Sequence, residues 1–126
     1  MDRILILAPC PSLVEECSEA LEGLGVELVA VEAWADLEEQ LRHRGVCLVL
    51  LFSPLRGGAL GHHVARLRRL VASLPLFALW WDDSEQGAVE RLEAGVNQIY
   101  ALPCSAVRLR RRVEELLLRQ PPLRPV

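Results

Sequence analysis

The sequence predicts a single α/β domain in which a parallel sheet is covered by helices on both faces. Three observations carry this reading. Apolar runs alternate with amphipathic stretches along nearly the whole chain, the pattern of repeated strand–helix units. The run VCLVLLF, Val46 to Phe52, is apolar throughout and rich in Val and Leu, as a strand buried beneath helices on both sides must be. The chain has 126 residues and is 52% apolar, enough for one core.

The elements follow in order. Arg3 to Ala8 reads as a buried strand. Ser12 is expected to cap the first helix, with Glu15 three residues on completing a capping box. That helix carries Leu13, Val14, Cys17, Ala20, Leu21 and Leu24 at helical spacing, and Gly23 and Gly25 stop it. Val26 to Val31 is the second strand, with Val26, Leu28 and Ala30 on one face. A second helix is expected from about Ala35 to Arg44, with Leu37 and Leu41 inward. Ser53 to Gly61, with Pro54 and three glycines, reads as a loop. The third helix turns Val64, Leu67, Leu70 and Val71 inward. Leu76 to Trp80 is the fourth strand, followed by a turn and cap at Asp82, Asp83 and Ser84. The fourth helix ends at Gly95. Asn97 to Leu102 is the fifth strand, and Ser105 caps a last helix running to about Arg119. The domain therefore spans 1–119. The tail QPPLRPV, 120–126, is too rich in proline to continue that helix and is expected to be loose. Strands joined through helices need right-handed crossovers, and the doubly wound flavodoxin-like order 2-1-3-4-5 follows as the candidate topology.

Composition removes several functions. The longest apolar runs, ILILA and VCLVLLF, are far too short to span a bilayer. No secretory signal pattern opens the chain, so a cytoplasmic location is expected and no membrane partner. The net charge of −3 gives no footprint for direct nucleic-acid binding. All 14 basic residues are arginine; lysine chemistry, Schiff bases included, is excluded. Cys10, Cys17, Cys47 and Cys104 form no CxxC pair and sit at no zinc-finger spacing from a histidine. His62 and His63 are adjacent, not at metal-pair spacing. The glycines at 57 and 58 lack the full dinucleotide-binding pattern. No metal or cofactor is expected.

With the elements placed, the chain resembles the response-regulator receiver family, the CheY-like domains, from Arg3 to about Arg119. The residues that carry the resemblance are Ile4-Leu5-Ile6-Leu7, Glu19-Ala20-Leu21-Glu22 running into Gly25, Cys47-Leu48-Val49-Leu50-Leu51 with the glycine-bearing loop after it, Pro75-Leu76-Phe77, Leu92-Glu93-Ala94-Gly95, and Pro103 after the fifth strand. The departures are as informative. The resemblance implies an acidic pair after the first strand; those places fall on Ala8 and Pro9. The phosphate-accepting aspartate falls on Phe52, or on Ser53 if the loop is shifted by one. The hydroxyl residue closing the fourth strand is Trp80, and the lysine before the fifth-strand proline is Leu102. Magnesium wants carboxylate oxygens, and phosphoryl transfer needs positioned cations; alanine, proline and phenylalanine supply neither. No general base is evident for Ser53. Phe52, Trp80 and Leu102 are expected to form an apolar plug.

A domain of this kind works by contact with a protein partner: a kinase, an output domain or its own copy. Trp81, beside Asp82 and Asp83, is a candidate contact residue. Arg108, Arg110, Arg111 and Arg112 crowd the last helix, with Glu114 and Glu115 following. One reading is a solvated face with pairs such as Arg110 with Glu114 and Arg111 with Glu115, each worth about 0.2–0.5 kcal/mol. The other, implied by the resemblance, is a homodimer through the last-helix face, with Glu85 or Glu93 opposite those arginines. Two further classes stay open: a small thiol-dependent enzyme or redox module using Cys10, alone or paired with Cys104, and a small-ligand sensor at the altered strand edge. Against the thiol enzyme, Pro9 and Pro11 flank Cys10 and the residue six on is Glu16, where a phosphate-binding thiol enzyme would need an arginine.

Overall fold

The computed structural model describes residues 2–119 except positions 44, 82, 83 and 104. The expected loose tail, the Asp82–Asp83 turn and Cys104, with any pairing to Cys10, lie outside the described residues. Strand and helix alternate without exception: β1 (Asp2–Leu7), α1 (Pro11–Ala20), β2 (Val26–Val31), α2 (Trp34–Gln40), β3 (Val46–Phe52), α3 (Gly57–Leu70), β4 (Leu76–Trp80), α4 (Glu85–Ala94), β5 (Gln98–Ala101) and α5 (Ala106–Arg119). The sheet has the order β2-β1-β3-β4-β5, and every pairing is parallel, with Leu5 opposite Val49, Leu51 opposite Ala78 and Leu79 opposite Tyr100. This is the flavodoxin-like order that the alternation of elements predicts.

Strand alternation divides the core in two. Ile4, Ile6, Leu48, Leu50, Phe77 and Leu79 face α1 and α5 and meet Leu13, Cys17, Leu109 and Val113. Leu5, Leu7, Val49, Leu51, Leu76 and Ala78 face the other way and meet Leu37, Leu41, Leu60, Val64 and Leu67. Residues 46–51 are all buried, which is why β3 reads as an unbroken apolar run. Each fully buried leucine here contributes about 1.5–3 kcal/mol of transfer free energy, and that burial fixes the register.

Helix ends are the places where pattern reading fails by a few residues. The capping box at Ser12 does not form. Cys10 takes the N-cap position and Pro11 opens α1, because proline at the first helical position loses no needed donor. Ser12 instead meets the Cys10 thiol at 2.9 Å. The expected loop 53–61 is shorter, since α3 already starts at Gly57. α2 ends at Gln40, not near residue 44. In β2, Val26 and Leu28 pack on the core but Ala30 is exposed at this edge strand. The Ser84 cap does form, its hydroxyl accepting from the Gly87 amide at 3.0 Å, and the Ser105 hydroxyl accepts from the Arg108 amide at 3.3 Å. Gly95 ends α4 with φ +113°. A Cβ there would also stand 3.0 Å from Arg68 Nη1 and 3.1 Å from Val64 Cγ1, so this turn needs glycine for both its dihedral and its space. Trp34 stacks on His63 with ring centroids 4.2 Å apart, tying α2 to α3.

Candidate functional site: the strand edge and the α4–β5–α5 face

The carboxyl ends of β1, β3, β4 and β5 meet at one edge of the sheet, the place where open α/β sheets put their ligands. Ala8 is buried there, its amide donating to the Val31 carbonyl at 3.0 Å. Pro9 is exposed. Phe52 ends β3 and lies against Trp80, which ends β4, with ring centroids 5.1 Å apart and planes tilted by 50°, an arrangement favoured by aromatic quadrupoles. Leu102 is buried in the same apolar cluster that Phe52 packs against, and its amide donates to the Trp80 carbonyl at 2.7 Å. Ser53 is buried with its hydroxyl occupied, accepting from the Leu55 amide at 3.1 Å. Leu102 also lines the crevice between α1 and α5, beside Leu79. Among the described residues, no three His, Cys, Asp or Glu side chains gather as metal ligands.

Sequence reasoning missed one member of this edge. Arg91, on α4, is 1% exposed. Its Nη1 donates to the Gly87 carbonyl and its Nη2 to the Pro54 carbonyl, both at 3.4 Å. It therefore pins α4 to the loop between β3 and α3. Arg56 and Glu90, 2.9 Å apart, span the same gap from outside. The available signal was positional. Gly87 and Arg91 share a helix face four residues apart, so the side that packs inward carries the arginine. The consequence is an inverted helix: α4 buries Arg91 and leaves Val89 and Leu92 44% and 49% exposed.

The second region is the surface of α4, β5 and α5. Arg108 and Arg111 are exposed and form no ion pair among the described residues. Arg112 pairs with Glu115 at 2.9 Å. The expected partner of Glu115 was Arg111. The i,i+3 pair wins because Arg111 lies on the exposed side whereas Arg112 and Glu115 are both half-buried over β5. Arg110 pairs with Glu114 at 3.0 Å, as the spacing predicts, and its Nη1 also donates to the Ala20 and Glu22 carbonyls, closing the end of α1. Arg108, Arg111 and Arg112 line a groove of about 330 Å³ beside Ile99 and Tyr100. Val107 is exposed at the start of α5, Trp81 is 58% exposed after β4, and Glu93 is exposed on α4.

The cysteines differ sharply. The Cys10 thiol is held below its ordinary value, first by the Ser12 hydroxyl and then by the backbone at Leu13 and Ser12, with Glu16 opposing. Burial pushes the Cys47 thiol up to about 12.

No protein-family model matches this chain, and no curated protein matches it by sequence. Solved structures do match. A two-component response regulator from Clostridium difficile superposes with a TM-score of 0.80 at 18% identity, covering 94% of this chain and 98% of that one. An atypical orphan response regulator, described as revealing a phosphorylation-independent regulatory mechanism, gives 0.79 at 22% identity over 95% and 98%. The orphan response regulator HP1043 of H. pylori gives 0.77 at 23% identity over 92% and 96%. The chain has the CheY-like receiver fold. No helix among the described residues is long and apolar enough to cross a membrane.

Proposed function

We propose that this chain is a non-enzymatic signalling module of receiver type that does not accept phosphate, binds no magnesium at the strand edge, and regulates by contact with a protein partner. The observation that carries this reading is the make-up of that edge. Ala8, Pro9, Phe52, Trp80 and Leu102 occupy it, and the buried Ser53 hydroxyl is tied to the backbone at Leu55. With no carboxylate cluster among the described residues and no lysine in the sequence, charge developing on a transferred phosphoryl group lacks the cations that would stabilise it. Contact is placed on the α4–β5–α5 face, with Arg108, Arg111, Arg112, Glu93 and Trp81 as its polar and aromatic residues and the same surface of a second copy as the first partner to test. A kinase or an output domain would use the same surface. The exposure of Val89, Leu92 and Val107 beside Arg108 and Arg111, which form no ion pair among the described residues, supports that choice, since interfaces combine an apolar centre with a charged rim.

Sedimentation velocity at rising protein concentration tests the self-association. The expected result is a dimer that weakens as salt rises from about 50 to 500 mM, because screening shortens the reach of exposed charges. Arg111→Glu is expected to leave a monomer, and Arg111→Glu combined with Glu93→Arg to restore the dimer. A monomer at every concentration, or a dimer indifferent to both substitutions, would contradict it.

One observation favours a second reading, a thiol-dependent module. Cys10 stands at the amino end of α1 with its thiol pKa lowered, the environment in which thiolates form. Its test is the alkylation profile given in the Discussion.

A further inference from the structure

On the sheet face opposite α2, α3 and α4, helices α1 and α5 do not close completely. A crevice of about 340 Å³ runs between them, lined by Leu13, Cys17 and Ala20 from α1 and by Ala106 and Leu109 from α5. Its floor is the sheet itself, at Leu79, with Leu102 beside it. Three features of the chain open this space. Ala20 and Ala106 are short side chains where the helices approach. Leu102 is compact and uncharged and lies back into the apolar cluster. And Arg110, which could have reached into the gap, is drawn instead to the carbonyls ending α1 and to Glu114.

The walls are apolar, but the mouth is not. Glu16 and Glu19 stand there on successive turns of α1, both exposed. Among the described residues neither takes part in an ion pair, and no basic side chain lines the crevice. A concave apolar space with a few convergent polar groups is how small-molecule sites are built, and the volume falls at the lower end of their usual range, about 300–1,000 Å³. The sign of the rim selects among apolar ligands. An anion would face two carboxylates, and a neutral molecule would leave them unused.

We propose that the α1–α5 crevice is a binding site for a small amphiphilic cation, a ligand with an apolar body that reaches toward Leu79 and one positive group held at the mouth by Glu16 and Glu19. The site is separate from the α4–β5–α5 face and does not depend on the self-association proposed there. Occupancy would stiffen α1 against α5, coupling the ligand to the helix that carries Arg108 and Arg111.

Three probes with one apolar body test it: 4-phenylbutylamine, 4-phenylbutanol and 4-phenylbutyrate, titrated into the full chain while amide and methyl NMR shifts are followed. The expected result is saturable binding of the amine with shifts centred on Leu13, Cys17, Leu79, Leu102 and Leu109, and an affinity for the amine about tenfold above that for the acid, the size expected of two exposed charge contacts. Glu16→Gln with Glu19→Gln removes that preference and leaves the alcohol unaffected. Ala106→Phe, at an exposed position, fills the mouth and abolishes binding of all three, with the circular dichroism melt confirming that the variant folds. Absence of saturable binding, equal affinity for amine and acid, shifts elsewhere in the domain, or undiminished binding by a folded Ala106→Phe variant would each overturn the proposal.

Discussion

The strand edge and the α4–β5–α5 face are a few residues apart in sequence and opposite in character. At the edge, Phe52 packs on Trp80 and Ser53 is tied to its own loop; these groups are satisfied by contacts within the edge. On the face, Arg108 and Arg111 pair with no acid among the described residues, and Val89, Leu92 and Val107 are exposed. One helix accounts for both. By burying Arg91 against Pro54, α4 seals the edge, and by the same rotation it turns its apolar residues outward. The contrast teaches that internal contacts hold the edge, whereas exposed apolar and charged residues gather on the face.

If that division is right, substitutions at the two regions should separate stability from association. The largest stability effect is expected for Arg91→Ala, which removes charge-assisted bonds to two carbonyls and leaves a void, at a cost of about 3 kcal/mol. A denaturant midpoint unchanged from wild type would show that Arg91 is not what holds α4 down. Phe52→Ala should cost about 2 kcal/mol, less than a fully buried ring because Phe52 is only partly buried. On the face, Arg111→Glu should shift stability by no more than about 0.5 kcal/mol while changing sedimentation; a loss comparable to that of Arg91→Ala would erase the distinction between the regions.

The two cysteines sharpen the comparison further. Hydrogen bonds lower the Cys10 pKa, so its folded form favours thiolate. That preference is present above the thiol's ordinary pKa, near 8.5, and is lost as pH falls through the lowered value. Alkylation of Cys10 by iodoacetamide is therefore expected to reach half its maximal rate below pH 8.5, whereas Cys47, pushed up to about 12, stays unlabelled until the chain unfolds. Peptide mapping after a pH series distinguishes them. A Cys10 profile centred at or above that of free cysteine would remove the thiol-module reading.

The topology was legible because the signals for it are redundant. The all-apolar β3, the Gly95 stop and the Ser84 and Ser105 caps each carry their own local physics. The edge residues were legible as departures, since Ala8, Pro9, Phe52, Trp80 and Leu102 fall on places the resemblance assigns to other chemistry. What the sequence hid depends on tertiary partners. Arginine at position 91 reads as a solvated helix residue until the Pro54 carbonyl is brought to it across 37 residues. The pairing of Glu115 with Arg112 over Arg111 depends on which side of α5 faces β5, and the capping box at Ser12 lost to Pro11, whose fixed φ favours the first helical position. The α1–α5 crevice arises from how far two helices stand apart, which no periodicity reports.

The central claim, that the strand edge cannot take up phosphate, is tested most directly by intact-mass spectrometry of the folded chain after incubation with acetyl phosphate and magnesium. An unmodified mass under conditions that phosphorylate a functional receiver is the result predicted here. A stoichiometric phosphate adduct on the folded protein would contradict it.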